Sequence, residues 1–218
     1  MGRNAILTPL VKDRMLALGF RKRAGLVFTM ELAPDILGIA DLNAEPSRSA
    51  EGVWDTHPVL GIRHQEAARI VAQLTGVRPH PYKAPPVAAS LGYLMPEQKF
   101  TTWPLGGFPA AEANAAAMVD AVRGHGLPFL LGHSSREALL RAINQRIGSP
   151  ETQNRTRPVL LALMGRYEEA ARAMSALADS PAAAGSPAAE GHRLYAANFF
   201  PWLEARAAGA ETGAGTDA

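Results

Sequence analysis

The sequence changes its hydrophobic periodicity within the first third of the chain. Over residues 6–18 the apolar side chains recur at helical spacing, and this pattern stops at Gly19 and Phe20. Over residues 26–32 every second side chain is apolar, which is the spacing of a half-buried β-strand. A helix followed directly by such a strand predicts a helix that packs on an antiparallel sheet.

The rest of the chain extends this prediction to an α+β fold, with an antiparallel or mixed sheet of about five strands. Runs of strands precede runs of helices, an order typical of α+β domains. Gly76 is expected to end the second helix, and Gly124 or Gly126 the third. A capping box from Ser134 to Glu137 opens the fourth. The predicted helices cover residues 4–18, 65–75, 110–123 and 135–147, and the predicted strands cover residues 25–32, 36–43, 59–63, 88–94 and 99–103.

Composition divides the chain into four parts. We predict an α+β domain over residues 1–148, a linker over 149–158, a helical appendage over 159–208 and a disordered tail over 209–218. The linker prediction rests on a polar stretch that contains two prolines, which interrupt helices. The tail prediction rests on its content of small and polar residues.

One segment of the appendage resembles the inner turn of a tetratricopeptide repeat. In such a repeat one helix ends at Leu-x-Gly and the next begins at Tyr-Glu-Glu-Ala, as residues 163–165 and 167–170 do here. About three copies are needed to bury a continuous core, whereas the sequence has one. We therefore expect a single helical hairpin over residues 159–177. A further helix is expected to bury Leu194, Tyr195, Phe199, Trp202 and Leu203.

The 218-residue chain has no cysteine, and this removes several kinds of chemistry. Disulfides, thiolate zinc sites, iron–sulfur clusters and cysteine nucleophiles are excluded. No apolar run approaches the ~20 residues needed to cross a bilayer, and the first residues lack the apolar block of a signal peptide. We expect a cytoplasmic protein that has no membrane partner and requires no cofactor.

The net charge of +2 is distributed unevenly along the chain. Residues 1–30 carry +5 and residues 31–60 carry −5, while 61–150 carry +4 and 151–218 carry −2. A basic segment followed by an acidic one favours pairing across the predicted sheet over a continuous surface that follows a phosphate backbone. We therefore do not expect nucleic acid to be the partner.

One set of residues admits a catalytic interpretation. Asp35, Glu97 and Lys99 are similar to the two carboxylates and the lysine of a metal-dependent nuclease or hydrolase, in which the carboxylates share a divalent ion. Asp35 and Glu97 both fall in predicted turns, where such residues are common for local reasons. Two exposed turn carboxylates are thus the alternative interpretation, and the hydrolase is our second hypothesis for function.

Other motifs have simpler structural interpretations. The sequence Gly-His-Ser-Ser-Arg at 132–136 differs from a nucleophile elbow at its last position. The glycines at 106–107 lack the lysine of a phosphate loop. None of the short spacings of a zinc site occurs among His57, His64, His80, His125 and His133. We therefore predict neither a metal site nor a nucleophile from these motifs.

Aromatic residues beside loops and strand ends are the candidates for a protein-binding surface. They are Trp54, Tyr82, Tyr93 and Trp103 in the α+β domain and Trp202 in the appendage. Protein interfaces are enriched in aromatic and arginine side chains. Sheets also use aromatic residues to cover their edges, so packing within the domain is the alternative interpretation.

The first 65 residues resemble the opening of a group of small bacterial α+β proteins of unknown function. The resemblance rests on the helix that stops at residues 18–20 (Leu-Gly-Phe), the basic step at 21–23 (Arg-Lys-Arg) and the strand hairpin that follows. Some members of that group look like immunity proteins, which neutralise a partner toxin. The resemblance supplies no catalytic residues and implies a non-enzymatic bacterial protein that binds another protein.

Overall fold

The computed structural model describes residues 2–179 and 187–213 of the chain. Its contacts divide the chain into two units. The first unit, Met1–Arg63 with Tyr82–Ser149, contains the β-sheet, and we call it the sheet unit. The second, His64–Pro81 with Pro150–Ala218, is helical, and we call it the helical unit. The α+β class predicted from the sequence is confirmed.

The secondary structure consists of strands in the first half of the chain and mostly helices in the second. The strands are β1 (Arg21–Lys22), β2 (Val27–Ala33), β3 (Ile36–Pro46), β4 (Val53–His64), β5 (Val87–Ser90) and β6 (Trp103–Gly106). The helices are α1 (Arg3–Ala17), α2 (Gln65–Leu74), α3 (Leu91–Leu94), α4 (Ala111–Ala121), α5 (Leu127–Gly132), α6 (Arg136–Asn144), α7 (Pro150–Leu163), α8 (Tyr167–Ala178) and α9 (Pro187–Gly213), with a π-helical turn at Val122–Gly126.

The first helix ends as its sequence predicts. Gly19 has a φ of +89°, a conformation that glycine adopts without steric cost. The Gly19 amide donates to the Leu16 carbonyl at 2.9 Å, and the Phe20 amide donates to the Met15 carbonyl at 3.3 Å. These two bonds form a Schellman cap, and the buried Phe20 side chain completes it. The predicted stop at Gly19 is confirmed.

The hairpin that follows α1 is also confirmed. β2 and β3 are antiparallel, with Phe28 opposite Ala40 and Val27 opposite Asp41. Phe28 and Ala40 are both fully buried, so this face of the hairpin belongs to the core. Asp35 lies in the connecting turn with a φ of +62°, which an aspartate tolerates better than most residues do.

The bounds predicted for the last two strands, 88–94 and 99–103, are wrong, because the strands are β5 (Val87–Ser90) and β6 (Trp103–Gly106). β5 and β6 both pair with β4, β6 along Val53–Thr56 and β5 along Val59–Ile62. The change of partner falls at His57 and Pro58, and a proline has no N–H to donate to a neighbouring strand. Residues 91–94 form the helix α3 in place of a strand. The alternation of apolar residues is a local signal, and the packing of the loop between β5 and β6 overrides it.

The sheet curls around the first helix. Its strand order is β1-β2-β3-β4-β5, and β6 lies beside β5 on the same edge of β4. α1 contacts β1 and also β6, which lie at opposite sides of this order, and α4 packs on α1 and β6. The largest fully buried side chains here are Leu7, Met15, Phe28, Leu42, Leu60, Ile62, Leu91, Leu105, Met118 and Leu130.

Neither Gly124 nor Gly126 ends a helix, which corrects the prediction for the third helix. The chain passes from α4 through the π-helical turn directly into α5. The Leu127 amide donates to the Val122 carbonyl, five residues earlier. Pro128 follows, and since a proline lacks an N–H and crowds the carbonyl four residues before it, the wider turn relieves that conflict.

The start of α6 differs from the predicted capping box by one residue. The Ser135 hydroxyl, not that of Ser134, accepts the hydrogen bond from the Ala138 amide, at 3.1 Å. The Ser134 hydroxyl instead donates to the Leu131 carbonyl at 2.7 Å, at the end of α5. Adjacent serines make the register of such a cap ambiguous in a sequence.

The helical unit contains α2, α7, α8 and α9, and both α2 and α8 contact α7 and α9. Residues 150–158, predicted as a linker, belong to α7. Pro150 occupies the first helical position, where a proline is well tolerated. Residues 209–213, predicted as part of a disordered tail, lie in α9, while 214–218 are outside the described residues. The alanine, proline, glycine and serine residues at 180–187 predict a further linker, and residues 180–186 of it also lie outside the described residues.

The helical hairpin of α7 and α8 is confirmed. Gly165 has a φ of +74°, and the Arg166 amide donates to the Leu161 carbonyl at 3.0 Å. Further hydrogen bonds join α9 to its neighbours, from the Tyr195 hydroxyl to the Arg155 carbonyl at 2.8 Å and from Asn198 Nδ2 to the Leu74 carbonyl at 2.8 Å. The predicted burial of Tyr195, Phe199 and Leu203 is confirmed, whereas Leu194 is exposed and Trp202 is half-buried.

Candidate functional site

The five aromatic residues predicted to bind a partner differ in their exposure and are divided between the two units. Trp103 is buried in the sheet unit, and Trp54 and Tyr82 are half-buried. Trp202 belongs to the helical unit, where its ring lies 5.5 Å from that of Phe199. Tyr93 is 55% exposed. Of the five, Tyr93 has the side chain with the most surface to offer a partner.

Tyr93 lies in the loop that connects β5 to β6, which we call the aromatic loop (residues 91–102). The same loop carries Phe100, which is 54% exposed. Phe100 was not among the residues predicted from the sequence to bind a partner, although it falls in the same predicted strand as Trp103. The signal that could have found it is the number of polar residues and prolines around it, which is high for a buried strand.

The aromatic loop is folded tightly on itself. The Gln98 amide donates to the Met95 carbonyl at 3.0 Å, and Gln98 has a φ of +45°. A Cβ atom at Gly92 would overlap the Lys99 carbonyl oxygen and lie 2.8 Å from the Thr101 amide nitrogen. Glycine at this position therefore permits the two ends of the loop to touch, and the touching ends fix its shape.

The loop is also anchored to the sheet beneath it. The Phe100 ring lies 5.2 Å from the His57 ring, measured between centroids, with the planes tilted by 55°. His57 is in β4, at the point where the pairing changes from β6 to β5. The exposed ring of Phe100 is therefore held in a defined position.

A charged group lies beside this part of the sheet. Asp41, on β3, is half-buried, and burial raises the pKa of its carboxyl above the ordinary value of 3.8. The positive charges of Arg3, Lys83 and His57 act in the opposite direction and lower that pKa. Desolvation is the larger effect, so the ionised carboxylate is less favourable here than in water.

The raised pKa of Asp41 predicts how stability depends on pH. The folded protein binds more protons than the unfolded chain between the unfolded value of 3.8 and the higher folded pKa. Ionised Asp41 thus destabilises the fold above this interval, and the penalty disappears as the pH falls through it. We expect Asp41→Asn to raise the thermal midpoint at pH 7 and to lose this advantage at pH 3.5.

Thermal unfolding of the two proteins at both pH values checks this expectation. Asp35→Asn is the matched control, because Asp35 is exposed and an asparagine tolerates its positive φ. A lower midpoint for Asp41→Asn at pH 7 would mean that attraction to Arg3, Lys83 and His57 outweighs the cost of burial.

The residues of the hydrolase hypothesis lie in separate turns. Asp35 is in the turn between β2 and β3, whereas Glu97 and Lys99 are in the aromatic loop, and all three are exposed. Within residues 2–179 and 187–213, the structure contains no group of three or more His, Asp or Glu side chains that could hold a metal ion. The positions of the described residues therefore give no support to a metal-dependent hydrolase.

Three of the five histidines considered from the sequence as possible zinc ligands have contacts within the structure. His57 packs on Phe100, and His64 Nδ1 accepts a hydrogen bond from the Ala67 amide at 3.2 Å, which caps α2. His133 Nδ1 lies 2.7 Å from the Phe129 carbonyl oxygen. These contacts explain the three positions without a ligand.

Comparisons with known proteins give no relatives. No protein-family model, no curated protein and no solved structure matches the chain. The resemblance of residues 1–65 to bacterial immunity-like proteins therefore stays a prediction. In the described part of the chain, no helix combines the length and apolar character required to cross a membrane.

Proposed function

We propose that the protein acts by binding another protein through the aromatic loop. The observation that carries this proposal is the pair of exposed rings, Tyr93 and Phe100, on one loop whose shape is fixed by Gly92 and by His57. The occupant is a protein that offers an apolar pocket to these two rings.

Energetic considerations favour this loop over other exposed apolar positions. Leu16 and Leu131 are also exposed in the sheet unit, but each lies on a different helix. Single exposed apolar residues are normal in soluble proteins. Two aromatic rings on one rigid loop lose little conformational entropy on binding, and aromatic side chains are the residues that most often dominate interface energies.

We extend this proposal with three expectations from the sequence, namely that the protein is bacterial, that it is cytoplasmic and that it resembles immunity proteins. The resemblance of the first 65 residues implies that the partner is a toxin. A toxin domain is therefore the first partner class to test, beside proteins captured from the source cell.

The test compares a loop variant with a matched surface variant. We expect Tyr93→Ser with Phe100→Ser to lower the affinity for a captured partner at least ~30-fold, since two anchors of about 1 kcal/mol or more each are lost. Leu131→Ser removes an equally exposed apolar side chain, at 56% exposure, from another part of the sheet unit. That control should leave the affinity unchanged.

The measurement is capture from a lysate of the source cell with each immobilised variant, followed by titration of the identified partner. Loss of one partner from the double variant alone supports the proposal. Equal capture by all variants, or capture of nothing by the wild type, would overturn it. Sedimentation velocity adds a further outcome, because a dimer that disappears in the double variant would identify a second copy of the chain as the occupant.

A further inference from the structure

Arg63, near the end of β4, is a buried cation with little compensation. Its side chain is 6% exposed. Among the described residues it has one hydrogen bond, from Nη1 to the Lys83 carbonyl oxygen at 2.6 Å. Its Nε is enclosed and has no acceptor in that part of the chain. A guanidinium has five N–H donors on three nitrogen atoms, and of these atoms Nε is the one that is both enclosed and without an acceptor in the described part of the chain.

The charge of Arg63 is also unbalanced. Burial lowers the pKa of Arg63, and no carboxylate among the described residues acts to raise it. Asp41, a half-buried carboxylate of the same unit, is influenced by Arg3, Lys83 and His57, but not by Arg63. Buried charges in proteins are normally paired, because an isolated one is very unfavourable. The site is therefore short of one negative charge.

The turn that covers Arg63 is held in a strained conformation. Ala84 has a φ of +52°, which is unusual for a residue with a side chain. The ring of Pro85 lies so close to Gly61 that a Cβ there would be 2.9 Å from the Pro85 Cβ. Lys83 and Ala84 are exposed, so the turn that carries the Lys83 carbonyl group is open to solvent.

We propose that Arg63, beside the turn at residues 83–85, forms a binding site for a small oxyanion. A phosphate or carboxylate group matches the planar donor geometry of a guanidinium better than a simple halide does. It would supply the missing negative charge and accept hydrogen bonds that the described residues leave unmade. The site lies entirely within the sheet unit and is independent of the aromatic loop proposal.

Thermal unfolding with added anions tests this site. We compare 20 mM inorganic phosphate and 20 mM acetate with sodium chloride at equal ionic strength. A ligand that binds the folded protein raises its midpoint, and we expect a rise of about 3 °C for the wild type with at least one oxyanion, given the usual relation between free energy and midpoint. The arm that responds identifies phosphate or carboxylate as the ligand chemistry.

Variants connect the shift to the site. Arg63→Gln should abolish the rise, and Arg63→Lys, which keeps the charge but loses the planar fork of donors, should reduce it by about half. Lys12→Gln, at an exposed lysine of α1 in the same unit, should leave the rise unchanged. If Arg63→Gln does not fold, Arg63→Lys remains informative because it retains the charge. A wild type that shows no rise with either oxyanion, or the same rise in every variant, would overturn the proposal.

Discussion

Replacing Phe199 by alanine is expected to destabilise the helical unit by about 3–5 kcal/mol. Phe199 is fully buried in α9, and its ring lies 5.5 Å from that of Trp202 and 5.8 Å from that of Phe200. Removal of the ring leaves a cavity that surrounding helices fill only in part. Denaturant unfolding followed by far-ultraviolet circular dichroism measures the loss.

Trp202→Ala is the companion variant, and it separates burial from ring size. Trp202 is half-buried, and the Arg206 guanidinium lies 5.9 Å from its ring centroid. Most of the lost contacts are partly exposed, so we expect a loss of about 1–2 kcal/mol. An equal or larger loss for Trp202→Ala than for Phe199→Ala would show that Trp202, not Phe199, is the main apolar anchor of α9.

Gly92→Ala is expected to have the second largest effect, a loss of about 1–3 kcal/mol in the free energy of unfolding of the sheet unit. The added Cβ would overlap the Lys99 carbonyl oxygen and crowd the Thr101 amide. Both are backbone atoms and cannot move away as a flexible side chain does. The aromatic loop must open, so partner affinity should fall together with stability.

Gly107→Ala provides the control for a second glycine near the same strands. An added Cβ at Gly107 has no neighbour within 4 Å, so its effect should be within about 0.5 kcal/mol. Hydrogen exchange of the loop amides reports whether the loop has opened. If hydrogen exchange and stability are both unchanged in Gly92→Ala, the loop accommodates the added methyl group by a shift of its backbone, and our expectation is wrong.

Local signals predicted the parts of the fold that depend on neighbouring residues. The stop at Gly19 and the hairpin turn at Asp35 depend on backbone conformations that few residues adopt, and the sequence displays those residues. The course of residues 88–103 could not be predicted in this way. It depends on pairing with β4, whose paired residues lie at least 25 positions earlier (Ile62 with Val87), and on the contact of Gly92 with Lys99.

The candidate sites were predictable to a smaller extent. The sequence identifies Tyr93 as an aromatic residue near a strand end. It does not show that Tyr93 is exposed and Trp103 buried, because this difference depends on where each residue lies relative to β4. Arg63 gives no signal in the sequence, since one arginine at the end of a strand is ordinary. Its selection as a candidate depends on its burial and on the absence, among the described residues, of a carboxylate that acts on it.

The placement of β5 and β6 along one edge of β4 has a consequence for how this protein can diversify. Ser90 is opposite Val59 and Trp103 is opposite Thr56, so the chain leaves and rejoins the same edge about 10 Å apart. The free energy of closing a loop rises slowly with its length. Insertions or replacements between these two points leave the ladder on either side intact, so the loop can change in length and sequence while the scaffold beneath it is retained.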